Sequence, residues 1–342
     1  MSVPTLSETR EYGRFLTFFT EARLPGIKTN VYEFSPLMSA FMGRLSDSQF
    51  GSVRMNGRGR LSISGESVRV NHQLGKNGTV KTLASAWDTV NTTPQDNVRF
   101  SRANWAQYNA AATVNLLEMK VNMHNEGKIA SLVDFELTDA VTSLADFAAN
   151  HVYDNAGSSD RLTELQSIVS ANNTVQTLSG ATYDAWNSRG LSARGTAPGS
   201  VSFAGGSFVT TGIANWRTAY LNASEGAVQP HALYTTYAMF AAYEGQLQPQ
   251  ERFTSTSIAD GGFQQLAFKG VPVFPDSKCP SGETYFLNFD KVKLAVLEGM
   301  DFNVGEWHEA ETQNAFSAKV NFVAQLICYD RRFVNKVVGQ TA

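Results

Sequence analysis

Charge is scarce in this chain. Charged residues occupy 17% of its 342 positions, where an ordinary soluble domain carries roughly 25%. A neutral polar surface rich in Asn, Ser, Thr and Gln follows. Low charge fits an extracellular protein, or one whose surface is largely covered by partners, because interface cores are depleted in charge. Composition leaves both open. Basic tracts are absent and the net charge is -3, which argues against tight, sequence-independent binding to nucleic acid, a property of clustered Lys and Arg.

Cysteine is scarcer still. Cys279 and Cys328 are the only two, far apart, without CxxC spacing or flanking histidines, so a disulfide framework and a zinc site are both disfavoured. They read as free structural thiols, small hydrophobes in a core. The opening MSVPTLSETREYGRFL has no positively charged region followed by a long apolar run. Neither a signal peptide nor a membrane anchor is expected, and synthesis and residence in the cytoplasm are.

Reaction motifs are missing as well. There is no GxxxxGK[ST] phosphate loop, GxSxG elbow, HExxH or GxGxxG at a strand–helix junction. The glycines of GRGRLSISG have the wrong spacing and read as turns between strands. Five histidines, His72, His124, His151, His231 and His308, are scattered singly. His151 falls near a helix C-terminus, where a cation complements the dipole. Glu306, Glu309 and Glu311 offer carboxylates for general acid–base work, with a solvated loop as the plainer reading. The thiol of Cys279 has only Lys278 beside it to lower its pKa, and a nucleophilic thiol needs such a group.

What the chain does have is organisation. Residues 1 to about 45 carry Phe15, Leu16, Phe18, Phe19, Val31, Tyr32 and Phe34 between Pro4, Pro25 and Pro36. This describes an extended arm whose aromatics need cover. From about 50 to 105, period-2 runs such as Leu61–Ser64 and Val68–Asn71 alternate with glycines, and Asn77–Gly78 marks a hairpin turn. Large apolar residues there are too few for a core, and a lone two-stranded ribbon is marginal in water.

RANWAQYNAAATVNLLEMKVNMH, residues 102–124, reads as a helix leading into a longer one. The strongest helical pattern follows, with Ile129, Leu132, Val133, Leu137, Val141, Leu144, Phe147, Ala148 and Val152 near 3.6-residue spacing. It predicts a helix over about 128–153, roughly 38 Å long. DRLTELQSIVS and GIANWRTAYLNASE read as further helices, and a strand followed by a helix begins at Pro230. In KGVPVFPDSKCPSGETYFLN two apolar runs flank a proline-pinned turn around Cys279, the pattern of a hairpin. Near the end Val320, Phe322, Ala324, Leu326 and Cys328 alternate as one buried strand face.

This order of parts resembles the HK97-like major capsid proteins of tailed bacteriophages. The likeness extends over roughly residues 155–338, in TELQSIVSANNTVQTLSGATYDAW, TTYAMFAAYEGQLQPQERF, DGGFQQLAFKGVPVFPDSKCPSGETYFLNFDKVKL and QLICYDRRFVNKVVG. The arm and the Gly-rich excursion match in position and composition. The resemblance implies an α+β fold with an N-terminal arm over 1–50 and an extended β-hairpin loop over 51–104. It implies a peripheral domain over 105–204 holding the long spine helix, an axial α/β domain over 205–300, and C-terminal strands over 301–342 returning to the peripheral domain.

The implied function is a structural one, self-assembly into pentamers and hexamers of an icosahedral shell around phage double-stranded DNA, held without sequence-specific binding. No catalytic residue, cofactor or metal is implied. Portal protein and a separate scaffolding protein are the implied partners, with the virion as location, after assembly in the host cytoplasm. Phe15, Phe18, Phe19, Leu61, Ile63, Val68, Val70, Val80 and Trp87 are the candidate inter-subunit contacts. Two alternatives stand beside this reading. One is an encapsulin-like bacterial compartment shell; the other, of a different class, is a cytoplasmic hydrolase using Cys279 or a histidine–carboxylate pair.

Overall fold

A computed structural model of the chain describes residues 16, 36–42, 60–75, 77–83, 88–121, 126–154, 160–170, 172–188, 201–202, 207–251, 266–310 and 313–341. In chain order the elements are α1 (Pro36–Met42), β1 (Arg60–Ile63), β2 (Ser67–Gln73), β3 (Val98–Asn104), β4 (Ala106–Asn115), α2 (Leu116–Val121), α3 (Glu126–Tyr153), α4 (Leu165–Val169), β5 (Thr174–Val175), β6 (Leu178–Ser179) and β7 (Val201–Ser202). Then come α5 (Ile213–Asn222), β8 (Ala232–Thr235), α6 (Tyr237–Glu251), β9 (Ala267–Phe268), β10 (Val271–Pro275), β11 (Thr284–Leu287), β12 (Val292–Leu297), β13 (Asn303–Val304), β14 (His308–Glu309), β15 (Ala315–Cys328) and β16 (Asn335–Val338). The mixture is α+β.

The first sheet is built around β15, flanked by β12 and β13, with β1 beyond β12 and with β4 and β14 also paired to β15. The long helix α3 lies on this sheet. Its 28 residues make it about 42 Å long, and Ile129, Val133, Leu137, Val141, Leu144, Ala148 and Val152 are all buried. The 3.6-residue period is the cause: it lines these side chains along one stripe that β4 and β15 cover. Burying each larger one contributes about 1.5–3 kcal/mol.

The segment 102–124, expected as a helix, is instead the end of β3, the whole of β4 and the short α2. β4 runs antiparallel to β15 over ten consecutive partners, from Ala106↔Ala324 to Asn115↔Ala315. Ala106, Tyr108, Ala112 and Val114 point inward, a period of two that the alanines mask. Ala has high helix propensity, but a ten-residue ladder with a buried face outweighs a preference worth well under 1 kcal/mol per residue.

The second sheet has the order β7-β16-β11-β8-β10-β9. Trp216, Ala219 and Tyr220 of α5 and Met239 and Tyr243 of α6 pack on Leu233, Val271, Val273, Phe286 and Val337. The expected hairpin around Cys279 is not one. β8 lies between its two strands, parallel to β10 (Val273↔Leu233) and antiparallel to β11 (Phe286↔Leu233). Two apolar runs joined by a short proline-rich link look alike whether they touch or straddle a third strand. The link is fixed by Asp276, whose Oδ1 accepts from Lys278 N at 3.0 Å. Gly282 has φ +73°, and a Cβ there would meet Gln340 O at 2.5 Å, so only glycine fits.

Asp276 also ties the two layers together. Buried to 1% exposure, its Oδ2 accepts from Tyr153 Oη at the end of α3 (3.3 Å) and from Leu37 N in α1 (3.4 Å). One hydrophobic cluster runs from the helix–sheet layer into Tyr234, Phe274 and Tyr285 of the second sheet. The division expected from sequence cuts across these sheets. β12 lies before residue 300 yet belongs to the first sheet, and β16 lies in the C-terminal segment yet belongs to the second.

Candidate assembly interface

β2 and β3 form a separate two-stranded ribbon, in register Val68↔Ala103, Val70↔Ser101 and His72↔Arg99. The strand period of two gives it an inner row and an outer row. Val68, Val70 and Ala103 of the inner row pack on Ala295 of β12 and Ile327 of β15, beside Ile63 and Trp105. β1 joins the first sheet directly, parallel to β12, with Leu61↔Ala295 and Ile63↔Leu297. The Trp105 indole N–H donates to Gly65 O at 2.8 Å.

The base of the ribbon therefore has cover within its own chain, contrary to the expectation that the whole excursion lacks a core. Val68 and Val70, expected at a neighbour, are buried at 3% and 7% exposure. Leu61 and Ile63 are half-buried in the sheet. A row of only two valines sufficed because the surface it meets, Ala295 and Ile327, is supplied by distant sequence.

Beyond Leu74 the picture reverses. Val80 is 83% exposed, and Leu83 and Val90 are exposed too. The tip is shaped by local polar turns: Asn77 Oδ1 accepts from Thr79 N at 3.0 Å, Asn91 Oδ1 from Thr93 N at 3.1 Å, and Lys81 pairs with Asp88 at 3.2 Å. Such contacts set a conformation but bury no apolar area. On the outer face of the ribbon Phe100 is 69% exposed, flanked by Arg69 and Arg102 in register opposite each other. Phe15, Phe18, Phe19 and Trp87 lie outside the described residues.

Other uncovered apolar side chains lie on the body: Leu117 and Val121 on α2, Phe135 and Phe147 on the outward side of α3, and Val209, Leu221 and Tyr237 around the second sheet. The outward side of α3 is acidic as well as apolar, with Asp139 and Asp146 exposed. Asp146 is bridged to Lys278 at 2.6 Å.

Both thiols are shut in. Cys279 is buried, its thiol pushed well up by desolvation and the nearby Asp276, and burial pushes Cys328 up to about 12. Thiolates, the reactive form, are suppressed at both. Alkylation with iodoacetamide is expected to label neither thiol of the native protein within an hour at neutral pH and both in denaturant, counted by mass spectrometry. Rapid labelling of Cys279 in the native state would restore it as a nucleophile.

His151 is a correction to the sequence reading. It hydrogen-bonds Tyr108 Oη through Nδ1 at 3.0 Å, and burial together with Arg161 lowers its pKa. It is held neutral, so it does not serve the helix dipole as a cation. His72 Nε2 is 2.7 Å from Ser101 Oγ, the spacing of a serine–base pair. Ser101 is 1% exposed and the imidazole lies against the Trp186 ring, centroids 4.3 Å apart, so no substrate reaches the pair. His231 is 3.7 Å from the Asp290 carboxylate, and His308 is exposed on β14. His124 lies outside the described residues. Among the described residues no cluster of His, Cys, Asp and Glu is arranged to hold a metal ion, and no helix is long and apolar enough to cross a membrane. A polar cleft of about 320 Å³ at the foot of the ribbon is lined by Arg102, Arg161, Thr163, Glu164, Thr177 and Gln325.

The roles of two residues that matter for this geometry were not visible in the sequence. Arg331 is fully buried and gathers four backbone carbonyls. His72 closes the inner row of the ribbon. The alternation Val68, Val70, His72 was the available signal for the second.

No protein-family model matches the sequence, and no curated protein does. Solved structures do match. The capsid asymmetric unit of cyanophage A-1(L) aligns with a TM-score of 0.56 at 12% identity, covering 90% of this chain and 93% of that one. The capsid of the native GTA particle gives 0.53 at 10% identity, with 83% and 88% covered. The SrpI encapsulin complex of Synechococcus elongatus PCC 7942 gives 0.50 at 12%, with 82% and 84% covered. At such identities the likeness is one of fold.

Proposed function

We propose that this chain, which has the HK97-like fold of phage capsid proteins, is the repeating subunit of an icosahedral shell built of pentamers and hexamers around phage double-stranded DNA. In this reading the ribbon is the extended loop, α3 the spine helix, and the second sheet with α5 and α6 the axial domain. The observation that carries it is the ribbon: anchored at its base by Val68, Val70 and Ala103, and uncovered at its tip along Val80, Leu83 and Val90. A projecting tip with exposed aliphatic residues is a liability in a solitary molecule and an asset in an assembly. If each subunit gives its tip and receives another's, the contact is head-to-tail and closes into rings. Several weak contacts per subunit then act together.

A net charge of -3 suits a container that encloses DNA without gripping its sequence. Portal and a separate scaffolding protein belong to this proposal as partners, and the virion as location, with assembly in the host cytoplasm. The buried thiols and the enclosed Ser101–His72 pair support a structural over a hydrolytic role.

Electron microscopy of the purified protein across a range of salt and concentration is expected to show closed shells or capsomer rings. Monodisperse monomers throughout would count against the proposal. The likeness to an encapsulin favours one second reading, a compartment that holds a protein cargo. Nuclease-protected DNA in particles isolated from the native source separates the two.

A further inference from the structure

We propose that His72 is a proton-sensitive latch at the hinge of the ribbon, holding its foot on the subunit when neutral and releasing it when protonated. The position carries the argument first. The inner row of β2 reads Val68, Val70, His72, all buried. On β3 the last buried side chain toward the tip is Ser101, with Phe100 and Val98 both exposed. His72 and Ser101 therefore mark where the ribbon leaves the body. Any loss of contact there moves the fulcrum back to Val70 and Ala103 and lengthens the free arm.

The bonding of the ring fixes its protonation state. Nδ1 lies 3.0 Å from Tyr329 O, a carbonyl that only accepts, so Nδ1 carries the proton. Nε2, 2.7 Å from Ser101 Oγ, then accepts from the hydroxyl. One neutral tautomer satisfies both contacts, and one side chain thereby joins β2 to β3 and to the residue after β15. A second proton on Nε2 opposes the Ser101 hydroxyl hydrogen. Ser101 is 1% exposed, and the other neighbour of its hydroxyl, the Gln176 amide 3.4 Å away, presents its NH2 there when it makes both bonds to the Cys328 backbone, so the displaced hydroxyl hydrogen meets no acceptor.

The charged surroundings do not welcome an imidazolium. Arg99 stands directly across on β3 and is tied to Asp96 and to Tyr183 Oη. Arg331, from the segment after β15, lies over the Trp186 ring that packs on His72. The facing carboxylate, Asp330, is engaged by Arg332 at 2.7 Å. Burial lowers the pKa of His72 below 6.5, against smaller raising effects of Tyr329 and Asp330. With the docked-state pKa depressed, the undocked state binds more protons below about pH 6.5. The latch is fully closed above that value and weakens as pH falls through it.

Hydrogen exchange with mass spectrometry on the full-length unassembled protein, corrected for intrinsic rates, tests this between about pH 7.5 and pH 5. Ribbon amides in 71–73 and 98–101 should lose protection by about tenfold for each unit by which the pKa of His72 lies below its free value, while those of the anchored base, 67–70, and of α3 keep theirs. His72→Gln, neutral at every pH, should abolish the change. Ribbon protection independent of pH in the wild type, or equally dependent in the variant, overturns the latch. Should the variant not fold, an NMR titration of the wild type decides: ribbon amide shifts must follow the His72 ring with one midpoint, and separate midpoints refute it. The latch is read on single subunits, so it stands or falls separately from shell formation.

Discussion

Replacing residues 75–96 with Asn-Gly is expected to give a folded monomer that forms no shell. The replaced tip contributes exposed Val80, Leu83 and Val90 and local Asn–Thr turns, and none of the three is part of a hydrophobic core cluster. Leu74 N already donates to Asn97 O at 3.0 Å, so the strands end in register for a two-residue turn, and Asn-Gly suits its backbone. Stability should change by about 0.5 kcal/mol or less, as for surface changes generally. Assembly should be lost altogether if, as proposed, the tip is the part each subunit gives to its neighbour. Removing the base as well, residues 60–104, has a different outcome. It strips β1 from the first sheet and takes Val68, Val70 and Ala103 off Ala295 and Ile327, about 5 kcal/mol at 1.5–3 kcal/mol for each larger side chain. That is comparable to the whole stability of many domains, and unfolding should follow. Calorimetry and sedimentation velocity on both deletions check the pair. A tip-less protein that still builds shells would remove the ribbon from the assembly proposal, and one that unfolds would displace the hinge.

How far the sequence revealed this architecture depended on where each residue's partners lie. α3 was legible, expected over about 128–153 and found at Glu126–Tyr153, because its buried stripe repeats within the helix itself. β4 was not, since Ala106, Ala110, Ala111 and Ala112 suit either structure and only the ladder to β15, more than two hundred residues away, decides. The link around Cys279 was read as a hairpin because β8, which separates its strands, lies about forty residues earlier in the chain. The ribbon was half legible. Its alternation predicted two strands, while Ala295 and Ile327, which give it a base, carry no mark of that role in their own neighbourhood. The interface candidates divide the same way. Val80 is uncovered as its polar surroundings suggest, whereas Val68 and Val70 are covered by residues no local pattern links to them. Buried polar residues were least visible of all, since Asp276, His72 and Arg331 look like ordinary surface residues until the atoms around them are known.

Arg331→Met is expected to lower stability by about 3–5 kcal/mol, because it leaves several buried carbonyl acceptors unmet at about 1–3 kcal/mol each. The guanidinium is fully buried. Nε donates to Ile168 O at 2.6 Å, Nη2 to Ser167 O at 3.1 Å and to Ser170 O, and Nη1 more weakly to Asn173 O at 3.4 Å. These carbonyls belong to the C-terminal turn of α4 and the segment beyond it, where a helix leaves its last acceptors without partners and partial negative charge gathers. Arg331 thus closes a helix end with a side chain from the far end of the chain. Methionine keeps most of the apolar stem, so the loss comes from the fork. Lysine should rescue little, because one ammonium cannot span acceptors set around a planar fork. Burial lowers the pKa of Arg331 to about 10, below that of a free guanidinium, so extra proton uptake by the unfolded chain begins only above about pH 10. The group is charged in both states at neutral pH, and the defect should be flat between about pH 6 and pH 8. Thermal unfolding over that range measures it as a drop of about 5 °C for a chain of this length. A defect below 1 kcal/mol would mean that water or neighbouring donors take over the carbonyls, and a defect that tracks His72 titration would place the loss in the ribbon instead.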